Sequence, residues 1–375
     1  MTAWPAALLW SLALLALAGC QRAPESGSAL GLPSLTTPPA TPAMIALGRK
    51  LFMDTRLSRN GTMSCAMCHV PEQGFAAVEI ATSIGLEGRS LRRNAPSLLN
   101  VAYVGQLFHD GRAGSLEQQA WDPLLNNIEM GNASSAEVLA RLRALPDYAG
   151  KFEAAFGAAA DRANVAAALA SYQRTLVAGD SRFDRWRYGG QADALNASER
   201  AGFALFSGKG RCIACHTVSA KSALFSDALF HNTGVGASVA RDPQQRFRVQ
   251  LAPGVFTALR LQDVASVSEP VEADTGRFEV SGAERDRWAY RTPSLRNVAI
   301  TGPYMHNGSI ATLEEVIDFY ARGGMDNGAR DPLLKPLTLN VQDKKDLAAF
   351  LRSLTSAHAG ALAAQARAAA TQEPF

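Results

Sequence analysis

Cys65-Ala66-Met67-Cys68-His69 and Cys212-Ile213-Ala214-Cys215-His216 repeat one five-residue pattern and take up four of the chain's five cysteines. Cys-x-x-Cys-His is the spacing of c-type haem attachment. Both thiols add to the vinyl groups of one porphyrin, and the His that follows ligates its iron. On a helical turn, positions three and four after the first Cys share its face. One turn therefore holds the ring by two bonds and presents imidazole to the metal. A thioredoxin-like redox pair or half of a zinc site also uses Cys-x-x-Cys. The His directly after the second Cys, in both copies, argues against each. The pattern implies two covalently bound haem c groups, with His69 and His216 as iron ligands.

A chain of 375 residues allows two or three domains. With 47% hydrophobic and 19% charged residues it is ordinary globular material. The net charge of +3 is small, and no basic patch points to nucleic acid.

Residues 1–19 carry no charged side chain, and Leu8 to Ala18 form an apolar run too short to span a bilayer. This is the core of a signal peptide. It ends in Leu17-Ala18-Gly19-Cys20, which resembles a bacterial lipoprotein box. That resemblance implies lipidation of Cys20, which accounts for the fifth cysteine. An ordinary leader with a small-residue cleavage site is the competing reading. Either way the chain is exported. Residues 20–44, rich in Pro, Ser, Thr and Gly, are expected as a flexible tether. The Ala-rich stretch 359–375 is expected as a loosely held tail.

The chain also repeats itself. Arg93-Asn94-Ala95-Pro96-Ser97-Leu98 aligns with Tyr290-Arg291-Thr292-Pro293-Ser294-Leu295, each residue 197 positions from its partner. The register holds through Phe108-His109-Asp110-Gly111 over Met305-His306-Asn307-Gly308, and through Leu116-Glu117 over Leu313-Glu314. Gly-x-x-Leu-Phe precedes each haem motif, at Gly48–Phe52 and Gly202–Phe206. This reads as a duplicated haem domain. Ser115-Leu116-Glu117-Gln118 and Thr312-Leu313-Glu314-Glu315 have the form of capping boxes. Ala-rich stretches at 133–145 and 160–178 carry helical spacing of Val, Leu and Tyr, and strand signals are few. The expected fold is all-α: two cytochrome c-like haem domains related by internal duplication, with loops such as 217–290 between helices.

These segments, in order and spacing, resemble the bacterial dihaem cytochrome c peroxidase family, and its MauG-type branch most closely, from about Ile45 to Leu354. The resemblance implies an N-terminal peroxidatic haem domain over 45–185 and a C-terminal electron-transfer haem domain over 186–358. It implies that Gln119, Pro123 and Glu129 supply the distal pocket of the first haem. A carboxylate there takes a proton from bound peroxide and returns it to the departing oxygen, while Gln119 orients the peroxide. It implies Tyr320, fourteen residues after His306, as the second ligand of the second haem, where other members have Met. Tyrosinate favours ferric iron and so a low potential. Met305 or Met325 is the alternative ligand. It further implies a calcium ion at Asn94, Thr301 and Pro303, whose hard oxygen donors suit it.

The internal repeat bears on this independently. Tyr320 aligns with Pro123, which offers iron no side-chain donor, and the loop from Phe75 to Arg93 contains no His. The first haem is therefore expected to be open. Two departures stand out. Where many relatives place an inter-haem Trp, this chain has His109, which either bridges the haems or is a structural turn residue. Where the protein-oxidising member has a surface Trp, this chain has Gly210.

The resemblance thus implies a periplasmic, lipid-anchored peroxidase, with the outer membrane favoured because Gln21 rather than Asp follows Cys20. It reduces hydrogen peroxide with electrons from a small cytochrome c or cupredoxin. The alternatives are peroxide-dependent oxidation of a protein or organic substrate, and a non-catalytic electron-transfer lipoprotein.

Overall fold

The computed structural model describes residues 29–37, 40–237, 246–252, 255–260 and 274–372. Helix α1 (Pro42–Met53) begins where Thr41 Oγ1 accepts the Met44 N–H at 3.2 Å, with Pro42 in the first turn, where its missing N–H costs nothing. The first haem motif is the short helix α2 (Cys65–Cys68). Two short helices, α3 (Leu116–Gln119) and α4 (Trp121–Leu125), meet at Ala120. They are followed by α5 (Ser135–Ala144), α6 (Lys151–Phe156) and α7 (Arg162–Arg174). The Ala-rich stretches are thus helical where their spacing placed them.

The second half begins at α8 (Arg182–Arg187) and α9 (Ala197–Ser207). It continues through α10 (Phe278–Ser281), α11 (Leu313–Ala321) and α12 (Val341–Ser353). Thr312 and Glu315 close a reciprocal capping box on α11. At α3 only half of the box forms. Ser115 Oγ accepts the Gln118 N–H, but the Gln118 side chain accepts from Gly114 instead.

The Gly of each Gly-x-x-Leu-Phe segment explains the helix crossings. A Cβ on Gly48 would lie 1.8 Å from the Ala168 carbonyl oxygen, and one on Gly202 would lie 2.0 Å from that of Asp346. So α1 crosses α7, and α9 crosses α12, at a distance only glycine permits. Around each crossing lies a separate core. The first is built on Leu51, Phe52, Leu169 and Tyr172, with Phe52 edge-on to Tyr172 at 5.2 Å. The second is aromatic: Phe183, Phe206, Phe225 and Phe350 are all under 2% exposed. Each such buried side chain contributes roughly 1.5–3 kcal/mol. The expected boundary at 185/186 falls within α8, whose Phe183 lies in the second core.

Three expectations are corrected. The fold is helix-rich but not purely α. Between Thr217 and Tyr290 the chain makes strand β1 (Phe230–His231) and a hairpin of β2 (Arg246–Ala252) and β3 (Val255–Arg260), and β1 pairs antiparallel with β4 (Tyr290–Arg291). The Ala-rich tail is not loose. It forms α13 (His358–Gln372), whose Ala359, Ala363 and Ala366 are buried, and Ala359 and Ala366 join the first core. Small residues at helical spacing give little apolar signal in sequence, yet Ala is the best helix former and lets helices approach closely. Part of the expected tether is also docked. Leu32 is buried, Gly31 O accepts the Ala223 N–H at 2.9 Å, and α1 already starts at Pro42. The leader 1–19 and Cys20 lie outside the described residues. Among those residues, no helix is long and apolar enough to cross a membrane.

Candidate active site

One cavity of about 790 Å³ is lined by residues of both Cys-x-x-Cys-His motifs. The two motifs are held by the same devices. The His69 backbone N–H bonds Cys65 O at 2.8 Å, and that of His216 bonds Cys212 O at 2.9 Å. Each imidazole then places Nδ1 on the carbonyl of a phenylalanine in the left-handed region: His69 on Phe75 (3.2 Å, φ 55°) and His216 on Phe225 (2.8 Å, φ 53°). Such a bond fixes the tautomer and leaves Nε2 as the metal-binding atom. The repeated Pro-Ser-Leu segments brace these loops. Ser97 Oγ donates to Gly74 O at 2.6 Å, and Ser294 Oγ donates to Leu224 O at 2.8 Å.

None of Cys65, Cys68, Cys212 and Cys215 is in a disulfide. Burial pushes the Cys65 and Cys212 thiols up to about 12 and that of Cys68 to about 11. Four uncrosslinked thiols, two oriented imidazoles and one apolar cavity fit two covalent haems.

Gln119, Pro123 and Glu129 all line the cavity together with the first motif. Glu129 sits in the turn after α4. Asn126 holds this turn, with Oδ1 accepting from Ile128 at 2.9 Å and O accepting from Gly131 at 2.8 Å. Gly85 lets the opposite loop close on it, since a Cβ there would lie 2.1 Å from Ile128 O. Burial pushes the Glu129 carboxyl up to about 7; Arg112 opposes this and Asp122 adds to it. A carboxyl poised there can both accept and donate a proton near neutrality.

Tyr320 lies at the end of α11 and lines the same cavity, with Phe319 edge-on to it at 5.1 Å. Burial, then the neighbouring Cys215 and Cys212, raises its phenol above the ordinary range. Of the alternatives, Met305 also lines the cavity, whereas Met325 is 37% exposed and its backbone N–H bonds Thr233 O. Gly210 lines the cavity beside the second motif.

His109 also lines the cavity; its Nε2 meets Asn94 O at 2.9 Å, and burial lowers its pKa to about 4. His306 stacks on Tyr290, with centroids 3.6 Å apart and planes 8° apart, and burial lowers its pKa to about 3. Both imidazoles are neutral at pH 7. The proposed calcium residues Asn94, Thr301 and Pro303 line this same region. Asn94 Nδ2 donates to Ala81 O at 2.9 Å and Ala77 O at 3.3 Å, so Oδ1 is the atom its amide can offer a cation.

Two charged clusters carry no motif in the sequence. Arg93 bridges Asp274 (2.6 Å) and Asp110 (2.5 Å) beside the Tyr290–His306 stack. His231 lies between Asp227 (2.9 Å) and Asp331 (2.5 Å), and Cys215 followed by these carboxylates holds its pKa up to about 10. Nothing in the sequence linked Asp331 to His231 across one hundred positions.

The chain matches the family model for di-haem cytochrome c peroxidase over residues 42–193. It is 38% identical over 343 residues to methylamine utilization protein MauG of Methylorubrum extorquens, covering 91% of this chain and 85% of that one. It is also 38% identical to cytochrome-c peroxidase IdrP1 of Denitromonas iodatirespirans, covering 91% and 89%. Among solved structures, a MauG-like protein associated with microbial copper homeostasis superposes with a TM-score of 0.69 at 33% identity, covering 88% of this chain and 95% of that one.

Proposed function

The chain belongs to the dihaem cytochrome c peroxidase family, in its MauG-type branch, and on that premise we propose that it reduces hydrogen peroxide to water at a haem held by His69. His216 and Tyr320 would hold a second haem, which would supply the path for electrons. The two lobes are copies of one haem domain. Their matching glycine crossings, imidazole-to-phenylalanine bonds and serine braces support this reading.

The carrying observation is the pairing of Glu129 and Pro123 in one cavity with the first motif. The haem iron supplies a binding site for peroxide and a store for its oxidising equivalents. Every other part falls to the chain. Glu129, ionised, would accept the proton of one peroxide oxygen and return it to the other as the O–O bond breaks, releasing water. Two electrons and two further protons complete the balance. Gln119 donates a hydrogen bond that orients the peroxide, and Pro123 closes the pocket without offering the iron a ligand. Asn94, Thr301 and Pro303 hold a calcium ion at the lobe junction.

A second reading follows from Tyr320. A hard anionic ligand disfavours reduction of the second haem, so peroxide equivalents pass instead to a protein or organic substrate. A simple electron carrier gains from two filled axial positions, which Pro123 does not provide. The exported chain works in the periplasm, anchored through Cys20, and takes electrons from a small cytochrome c or cupredoxin.

Glu129→Gln tests the proposal. Peroxide turnover falls at least 100-fold with both haems retained; an unchanged rate overturns it.

A further inference from the structure

The bracing segments Pro96 to Ala102 and Pro293 to Ala299 share one sequence except at a single position. Leu99 in the first lobe aligns with Arg296 in the second. The Arg296 side chain is 1% exposed and pairs with Asp184, 0% exposed, through two bonds of 2.8 Å. Its Nε donates to Ala223 O at 2.6 Å, and Nη2 also reaches Gly31 O at 2.5 Å. Gly31 O in turn accepts from Ala223 N, and a Cβ on Gly31 would lie 1.9 Å from Asp184 Oδ1. Asp184 Oδ2 is further satisfied by the Ser181 N–H and hydroxyl at 2.9 and 2.8 Å. This is a fully bonded buried ion pair, and it is anchored two residues before Phe225.

Phe225 supplies the carbonyl that receives His216 Nδ1. That contact is 2.8 Å, against 3.2 Å for His69 on Phe75, where the ion pair has no counterpart. The guanidinium also sits 5.9 Å from the Phe225 ring. We propose that the Arg296–Asp184 pair, closed by the docked segment at Gly31, is a positioning device that holds the Phe225 carbonyl against His216. It gives the second haem a stronger proximal hydrogen bond than the first. A stronger bond makes imidazole a better donor and favours ferric iron. The duplicated lobes are thereby set to different electron affinities through a residue that touches neither iron. The inference rests on the proposed ligation of the second haem by His216.

Removing Arg296 alone would strand a buried carboxylate, so the test uses the double variant Asp184→Asn/Arg296→Leu, with Arg296→Lys beside it. The holoprotein is titrated by spectroelectrochemistry, and its ferric EPR spectrum is recorded. The expected result is a selective rise of the second haem's midpoint. Its reduction equilibrium shifts about tenfold, or about 59 mV for one electron. Its EPR g-values move, the first haem is unchanged, and Arg296→Lys falls between. Unshifted midpoints in either folded variant, or equal shifts at both haems, overturn the inference. Wild-type protein carrying only one haem c overturns the reading beneath it, a result distinct from either.

Discussion

Pro123 and Tyr320 stand 197 positions apart, at matching places in an internally repeated chain, and both line one cavity. The same position thus offers iron nothing in one lobe and a phenol in the other. On the proposed function, an open site for peroxide and a closed site for electrons would follow from that single difference.

Tyr320→Phe removes the phenolic oxygen and leaves the ring packing against Phe319. The second haem should lose its low-spin ferric signal, and its midpoint should rise, with both haems still attached. Retention of that signal would point to Met305 as the ligand.

On the proposed mechanism, Glu129 would give the reaction its pH dependence. Burial holds the carboxyl near 7, well above its ordinary value of 4.5. As a base it must be ionised, so kcat/KM for peroxide should rise with pH and level off above about 7. Glu129→Gln should flatten this limb as well as lower the rate. A rising limb that survives in the variant would assign it to another group.

The glycine crossings carry stability. Gly48→Ala forces a methyl into the Ala168 carbonyl and should cost on the order of 3 kcal/mol. Gly105→Ala, with nothing within 4 Å, should stay within about 0.5 kcal/mol. Thermal unfolding of the two variants compares them directly.

The tail helix separates packing from charge. Arg367 and Glu72 pair at 2.6 Å, but both are about half exposed, so Arg367→Ala should cost under about 1 kcal/mol. Ala366 is 1% exposed against the first core. Ala366→Glu should undock α13 and lower the unfolding midpoint far more. Equal effects would mean that the ion pair, not the apolar stripe, holds the helix.

The two haem motifs are legible in the sequence because their chemistry is local. Cys-x-x-Cys-His fits within one turn, and the 197-residue register exposed both the paired helix starts and the Pro123–Tyr320 contrast. The rest depends on contacts distant in sequence. Arg296 with Asp184 and His231 with Asp331 are each about one hundred residues apart, and no short pattern joins them. The alanine stripe of α13 and the docking of Gly31 were hidden for another reason. Residues that pack by being small look, in sequence, like residues that do not pack at all.

The proposed mechanism needs one open haem and one closed haem in a single catalytic unit. EPR of the as-isolated ferric protein, before and after one equivalent of hydrogen peroxide, tests it most directly. The expected result is one high-spin and one low-spin signal, both lost on peroxide addition. Two low-spin signals that peroxide leaves unchanged would contradict it.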